Sequence, residues 1–369
     1  MRHVVVLLLA ATAALGAADA RALTSDGRWI DGAATFAGGT WTIGTARIAD
    51  AQMIAVTIPA QAAAPGIASG LVTRSGDVVV GTIASVQAGT LTMRSIALGP
   101  VSVPLDQVRA IVLAPTRGAA LAGIAVVDGA ELANGNLLAG KLDYINDEEV
   151  GIDVGKRVQR VKRDRVALIT FAGDASTPAE GHRLRLVGGD LLGGTIESWD
   201  AKGVTVTTAH GRVALAPQQV AAAWNARAAV QPLTMLAPTA THTPYFDEPA
   251  LLEIDRASAT MPLIIAGARC EHGLRVGARQ ELTWKLDGSA RALVAVLAAD
   301  TQAARGGNAV VTVWRDDAQA QVIECRAGAE PTTVTIPLEG AKTLKLSVDF
   351  AKPARPGDGA LIGWPTLVR

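Results

Sequence analysis

The sequence predicts an all-β protein: four tandem small β-barrel-like repeats followed by a β-sandwich. Three observations carry that prediction. A glycine-anchored pattern recurs four times in the N-terminal half, each time followed by short apolar runs suited to strands. In the C-terminal third Leu344, Leu346, Val348 and Phe350 alternate with Thr343, Lys345, Ser347 and Asp349, the period of two of a strand with one buried face. The chain also spends 38 Gly and 17 Pro on turns and offers no helical pattern of useful length.

The chain opens on a segment set apart from the fold. Arg2 and His3 precede an apolar stretch from Val4 to Gly16, and both Ala18-Asp19-Ala20 and Ala20-Arg21-Ala22 fit a small-x-small cleavage site. Residues 1–22 therefore read as a signal peptide cut after Ala20 or Ala22, since the apolar stretch falls short of the ~20 helical residues that cross a bilayer. This places the mature chain outside the cytoplasm, in the periplasm, at the cell surface or in the medium, with no transmembrane segment after cleavage.

The repeats occupy residues 23–231, at about 23–58, 71–113, 124–172 and 183–229. Their anchors are Gly27…Gly32, Gly76…Gly81, Gly135…Gly140 and Gly189…Gly194, with the first glycines 49 (27 to 76), 59 (76 to 135) and 54 (135 to 189) residues apart. The first glycine is expected to supply the positive φ of a tight turn. The second falls inside the following strand, where glycine marks a bulge or sharp bend. A bent strand within a unit of about five strands is the device that closes a small barrel, so each copy is pattern-similar to SH3-like or Sm-like barrels. Propensity alone makes residues 221–227 a helix, but their place in the repeat makes them a strand. Segments rich in Ala, Pro, Gly and Ser separate the copies. The longest, residues 232–244 with Pro232, Pro238 and Pro244, reads as an extended linker.

Beyond it the strand grammar continues to the end. Leu282-Thr283-Trp284-Lys285-Leu286 closes on Asp287-Gly288, and apolar runs recur around 291–297, 308–314, 321–325 and 334–338. Roughly eight short strands in about 100 residues point to a sandwich. The order Gly273-Leu274-Arg275-Val276, Leu282-Thr283-Trp284-Lys285-Leu286, an acidic loop, a Val-rich strand and Gly357-Asp358…Trp364 resembles the NPCBM/NEW2 domain. That family is a carbohydrate-binding module with a galactose-binding-like jelly roll, found beside family-98 glycoside hydrolases. The resemblance implies a jelly-roll sandwich over residues 245–369 and a polysaccharide or other glycan as partner. This chain carries Arg275 for the second glycine of the family's Gly-Leu-Gly-Val-His-Ala and Gly277 for its histidine, and lacks the usual acidic-His pair before Trp364. Loop residues His272, Arg275, Asp300, Arg305 and Asp358 are the candidates for meeting sugar hydroxyls.

Composition narrows the remaining choices. Lys plus Arg and Asp plus Glu are 34 each, so nothing electrostatic calls for a nucleic acid or an acidic membrane. Gly188-Gly189…Gly193-Gly194 leads into a strand, whereas a phosphate loop must open a helix. Cys270-Glu271-His272 offers too few ligands for a closed metal site, and no nucleophile–base or carboxylate pair suggests catalysis. The basic run Lys156-Arg157…Arg165 alternates with valines, and the acids at 143–153 suit it as cross-strand partners. Cys270 and Cys325 admit one disulfide in an oxidising compartment, or else stand as two buried thiols. The expectation is an exported, non-catalytic, cofactor-free binding protein with a carbohydrate-binding C-terminal module. The alternative is a structural or protein-interaction module of the cell envelope, joined to other envelope proteins.

Overall fold

The computed structural model describes residues 19–59, 68–115, 127–176, 180–244, 249–258, 261–301, 307–355 and 357–369. Among them the regular elements are strands and short 3-10 turns. The first repeat is built from Asp19–Thr24, Trp29–Ala37, Thr40–Ile43, Ala46–Ala49 and, after a 3-10 turn at Asp50–Gln52, Met53–Thr57. The second repeats this plan from Gly70–Thr73 to Val108–Val112 and the fourth from His182–Leu186 to Val220–Asn225. In the third the bent strand is split at Gly140 into Leu137–Ala139 and Lys141–Ile145. Each opening strand pairs with both the second and the last strand of its repeat, as Arg21 does with Asp31 and Thr57. The barrel-like plan of about five strands, with the last strand beside the first, thus recurs four times, and residues 221–225 are strand. The expected cleavage positions after Ala20 and Ala22 lie inside the first strand, where both alanines are buried. Most of the expected leader lies outside the described residues.

The two anchor glycines act as the pattern requires. The first has φ of +82°, +82°, +84° and +99° in the four repeats. Its amide donates to the residue three earlier each time, as Gly27 to Thr24 and Gly189 to Leu186. The second sits where a neighbouring strand leaves no room for a Cβ. One at Gly81 would overlap the Arg94 carbonyl oxygen, and one at Gly194 the Thr207 carbonyl oxygen.

The repeats join in the spatial order first, fourth, second, third. Closing strands pair antiparallel about equivalent residues, Val56↔Ala223 between the first and fourth and Ile111↔Ile169 between the second and third. The ends of the bent strands meet in the same pairs, at Phe36↔Trp199 and Val86↔Ile145. A different contact joins the second and fourth. Val78 bridges Leu191, the Asp77 carboxylate accepts the Gly193 amide (3.0 Å), and the Asp190 carboxylate accepts the Val80 amide (2.8 Å). The anchors start at Gly76 and Gly189, so the two carboxylate–amide bonds are equivalent and Val78 meets its counterpart Leu191, about a local two-fold axis. Equivalent 3-10 positions lock the outer pairs. Asp50 accepts bonds from Trp41 and His182 (2.9 Å each) and pairs with Arg227 (2.8 Å), while Arg163 donates to the Ile83, Ala84 and Asn146 carbonyls. One buried cluster, from Ala20 to Ala223, runs through all four barrels. The expected pairing of acids with the basic hairpin reduces to Arg160 near Glu149 at 3.9 Å.

The C-terminal part is a two-sheet sandwich. One sheet orders its strands Leu252–Ile254, Gly273–Gly277, Gly359–Val368, Ala292–Ala299 and Thr332–Pro337. The other runs Thr239–His242, Gln280–Lys285, Thr343–Phe350, Ala309–Arg315 and Ala318–Cys325. Residues 232–244 are not a free linker. Val230–Pro232 pairs with Gly359–Val368, Leu233 is fully buried in the sandwich core, and Thr239–His242 is an edge strand. Pro232 fits because this edge position needs no further amide donor.

The repeats cover the outer face of the first sheet. Along Ala292–Ala299, Leu293, Ala295 and Leu297 face the sandwich core, while Val294 and Val296 face Leu23, Ile54, Ala55 and Trp224 of the repeats. Gly359–Val368 is buried along its whole length. Trp29 Nε1 donates to the Thr333 hydroxyl (2.9 Å), and Thr335 donates to the Asp26 carbonyl (3.1 Å). Cys270 belongs to this seam and Cys325 to the sandwich core, both as free buried thiols rather than a bridge. Burial pushes their pKa values up to about 12 and about 11.

Gly194→Ala drives a Cβ into a ladder carbonyl and is expected to cost about 3 kcal/mol. Gly135→Ala meets open space and carries only the left-handed strain of about 1 kcal/mol. Urea denaturation of the two variants checks the ranking.

Candidate functional site

The residues expected to meet sugar divide between two places. Arg275, on Gly273–Gly277, donates from Nε to Asp300 Oδ2 (2.7 Å) and from Nη1 to the Ala257 carbonyl (2.8 Å). Asp300 is fully buried. Asp358 is also buried: its Oδ2 accepts the Arg355 amide (3.0 Å), and its backbone carbonyl accepts the Ala278 amide (2.9 Å). Arg275 and Asp300 therefore meet inside the sandwich end, and Asp358 braces the adjoining turn. Arg305 lies outside the described residues. Trp284 is sandwich core with its indole N–H on the Leu236 carbonyl (3.1 Å), and Trp314 lies beneath the Lys345 ammonium. Arg275→Ala removes the charge-assisted bond to the buried Asp300 and the bond to the Ala257 carbonyl. It is expected to cost about 2 kcal/mol of stability, read by urea denaturation.

His272 is placed differently, at a cavity of about 440 Å3 between the fourth repeat and the sandwich. The closing strand Val220–Asn225 brings Trp224 to its wall, the turn after it brings Arg227, and Leu191, Val230 and Met235 add apolar surface. The His272 ring stands edge-on to Trp224 (5.7 Å, 87°) and to Trp364 (6.2 Å, 73°). Its Nδ1 is 3.0 Å from the Thr234 hydroxyl and 3.4 Å from Asp255. Arg183 and Arg227 reach the cavity with their charges already matched, by Asp77 (2.7 Å) and Asp50 (2.8 Å). Such a mixture of aromatic edges, apolar wall and oriented donors suits a neutral polyol with apolar faces and hydroxyl rims. Sequence reasoning missed Trp224. Its one signal was a tryptophan ending a closing strand where the other repeats carry Thr57, Val112 and Thr170.

Buried carboxylates hold both walls in place. Burial pushes Glu271 up, but Arg185 (2.8 Å) and Arg269 (2.7 Å) outweigh it and hold the carboxyl below its ordinary 4.5. Burial likewise pushes Asp50 up, and its bonds from His182 and Trp41 with the Arg227 charge bring it below 3.8. Groups with depressed folded pKa values stabilise fully above their unfolded values and lose that contribution as pH falls through the folded ones. The melting temperature is therefore expected to fall between about pH 5 and pH 3. Glu271→Gln starts lower at neutral pH and shows a shallower decline, measured by thermal melts across that range.

Residues 240–366 match the NPCBM/NEW2 domain. The C-terminal third is an NPCBM/NEW2 domain. The NPCBM match starts within the stretch expected as a linker, in agreement with the edge strand Thr239–His242. Curated proteins give no match. Among solved structures, the chain is similar to the CBM51 module of a GH95 protein from Clostridium perfringens in complex with methyl-galactose. That similarity is 17% identity over 38% of this chain and 99% of that one, with a TM-score of 0.34. It is also similar to the tandem CBM51 modules of a family 98 glycoside hydrolase from Streptococcus pneumoniae, at 11% identity over 81% and 88% of the two chains and a TM-score of 0.33. At identities and scores this low, nothing about a ligand passes from those structures to this chain.

Proposed function

We infer that this is an exported, non-catalytic glycan-binding protein, in which the four barrels form a rigid mount for the NPCBM domain and complete its binding surface. The observation that carries the reading is the NPCBM match over residues 240–366, joined to a cavity where His272 of that stretch meets the second and fourth repeats and residues 230–235. A saccharide in that cavity would lay an apolar face on the Trp224, Val230 and Met235 wall. Its hydroxyls would meet His272, Gln231 and the arginines, whose charges are already matched. The closed Arg275–Asp300 pair favours this place over the sandwich end, where both side chains face inward. The leader-like apolar stretch at residues 4–16 supports export.

Glycan-array and polysaccharide pull-down measurements on the whole chain test the reading. Saturable binding that weakens about tenfold in His272→Ala, the scale of one lost polar contact, is the expected result. Binding unaffected by that change but lost in folded Arg275→Ala would move the site to the sandwich end. No saturable binding by any saccharide would leave the protein as an envelope spacer.

A further inference from the structure

The four anchor turns share one backbone geometry, and three of them are engaged. The first docks on the sandwich, where Asp26 accepts from Thr335, Trp29 donates to Thr333, and a Cβ at Gly27 would overlap the Thr335 hydroxyl. The second and fourth dock on each other about their local two-fold axis. The third, Asn134-Gly135-Asn136-Leu137, touches nothing comparable among the described residues. Leu137 is 80% exposed, whereas its counterparts Val78 and Leu191 are each half-buried against the other. Among the described residues Leu137–Ala139 pairs with Gly129–Leu132 on one side only.

We propose that the anchor edge of the third repeat is a self-docking surface, through which two copies of this chain pair by the geometry that joins the second and fourth repeats. In that arrangement Leu137 faces Leu137 of the second copy across the axis, as Val78 faces Leu191. The Asn136 side-chain oxygen accepts the Ala139 amide of the second copy, and the reverse, as Asp77 and Asp190 accept Gly193 and Val80.

The residue at this position fits the role. Asp77 is buried with Arg183 as its counter-charge, and burial still pushes its carboxyl above the ordinary 3.8. The third repeat carries Gly129 where the fourth carries Arg183, so no cation stands ready there. An asparagine supplies the same acceptor oxygen without a charge to desolvate. An exposed apolar residue on an unpaired strand edge is otherwise a liability, and the edge has no charged side chain at Leu137, Leu138 or Ala139 to blunt it. The surface is self-complementary by construction, which is what a two-fold dimer needs. Its small size places it among transient contacts, below about 1,200 Å2 in total, so the dimer forms with rising concentration.

Sedimentation velocity on the whole chain across the micromolar range tests this. The wild type is expected to move from monomer to dimer, Leu137→Asp to stay monomeric, and Asn136→Ala to dimerise about 30-fold more weakly for two lost neutral bonds. Leu137→Cys gives an independent reading. Two such thiols meeting at the axis should oxidise quickly to a linked dimer, while Cys270 and Cys325 remain buried and inert. Ile96→Cys, 88% exposed on another turn, provides the collision rate. A wild type monomeric throughout, a dimer that survives Leu137→Asp, or Leu137→Cys linking no faster than Ile96→Cys would overturn the proposal.

Discussion

The arrangement of the repeats depends on two carboxylates that accept backbone amides across a local two-fold axis. Asp77 and Asp190 each follow the first glycine of an anchor and reach the amide four residues past the other anchor's glycine. Neither side chain sits in water, and each bond satisfies an amide that a barrel edge would otherwise leave bare. Because both ends of the junction use the same two positions, a shift of register on one side breaks both bonds together. The first and fourth barrels on one flank, and the second and third on the other, are then fixed by their paired closing strands. Four similar units therefore adopt one order, rather than the several that matching edges would allow.

The seam with the sandwich obeys a different rule. Its apolar part is extensive, with Trp224, Trp364, Leu263, Ile265, Val294 and Val296 all buried in one cluster. Each large side chain so buried contributes about 2 kcal/mol. Glu271, Arg185 and Arg269 set the alignment within that apolar surface, because a buried carboxylate tolerates no sliding away from its two cations. A wall built this way keeps Trp224 and His272 in fixed relation across two separately folded sheets. Binding surfaces made at such seams gain from rigidity, since less is lost on ordering them around a ligand.

Much of this was legible in the residues. The four Gly…Gly anchors predicted turn, bend and barrel together, because only glycine meets both the positive φ and the close strand approach. The run at 291–297 was apolar at every second residue and nearly so at the others, and a strand covered on both faces is its explanation. The difference between Gly-Asp in the second and fourth anchors and Gly-Arg or Gly-Asn in the others was visible as well, and it marks which barrels join. What escaped was the partner of each edge. Residues 232–244 have a linker's composition, and only the fold shows Leu233 filling the core. Arg275 and Asp300 read as loop groups facing a ligand, since nothing in their spacing reveals that they meet. Trp224 was hidden because it belongs to a repeat, while the sugar-binding resemblance lies in the sandwich.

One feature of the sandwich bears on how such modules are shared between proteins. Gly359–Val368 has no solvent face: one side lies in the sandwich core and the other beneath the barrels. A carbohydrate-binding domain is commonly treated as a cassette, cut at its boundaries and attached elsewhere. Cut from this chain, the sheet would keep only the hairpin Leu263–Cys270 over that face, and Val294, Val296 and Trp364 would lose the apolar cover of Leu23, Ile54, Ala55 and Trp224. The domain has exchanged portability for a permanent mount, and a gene fusion that moves it must carry the first and fourth barrels along.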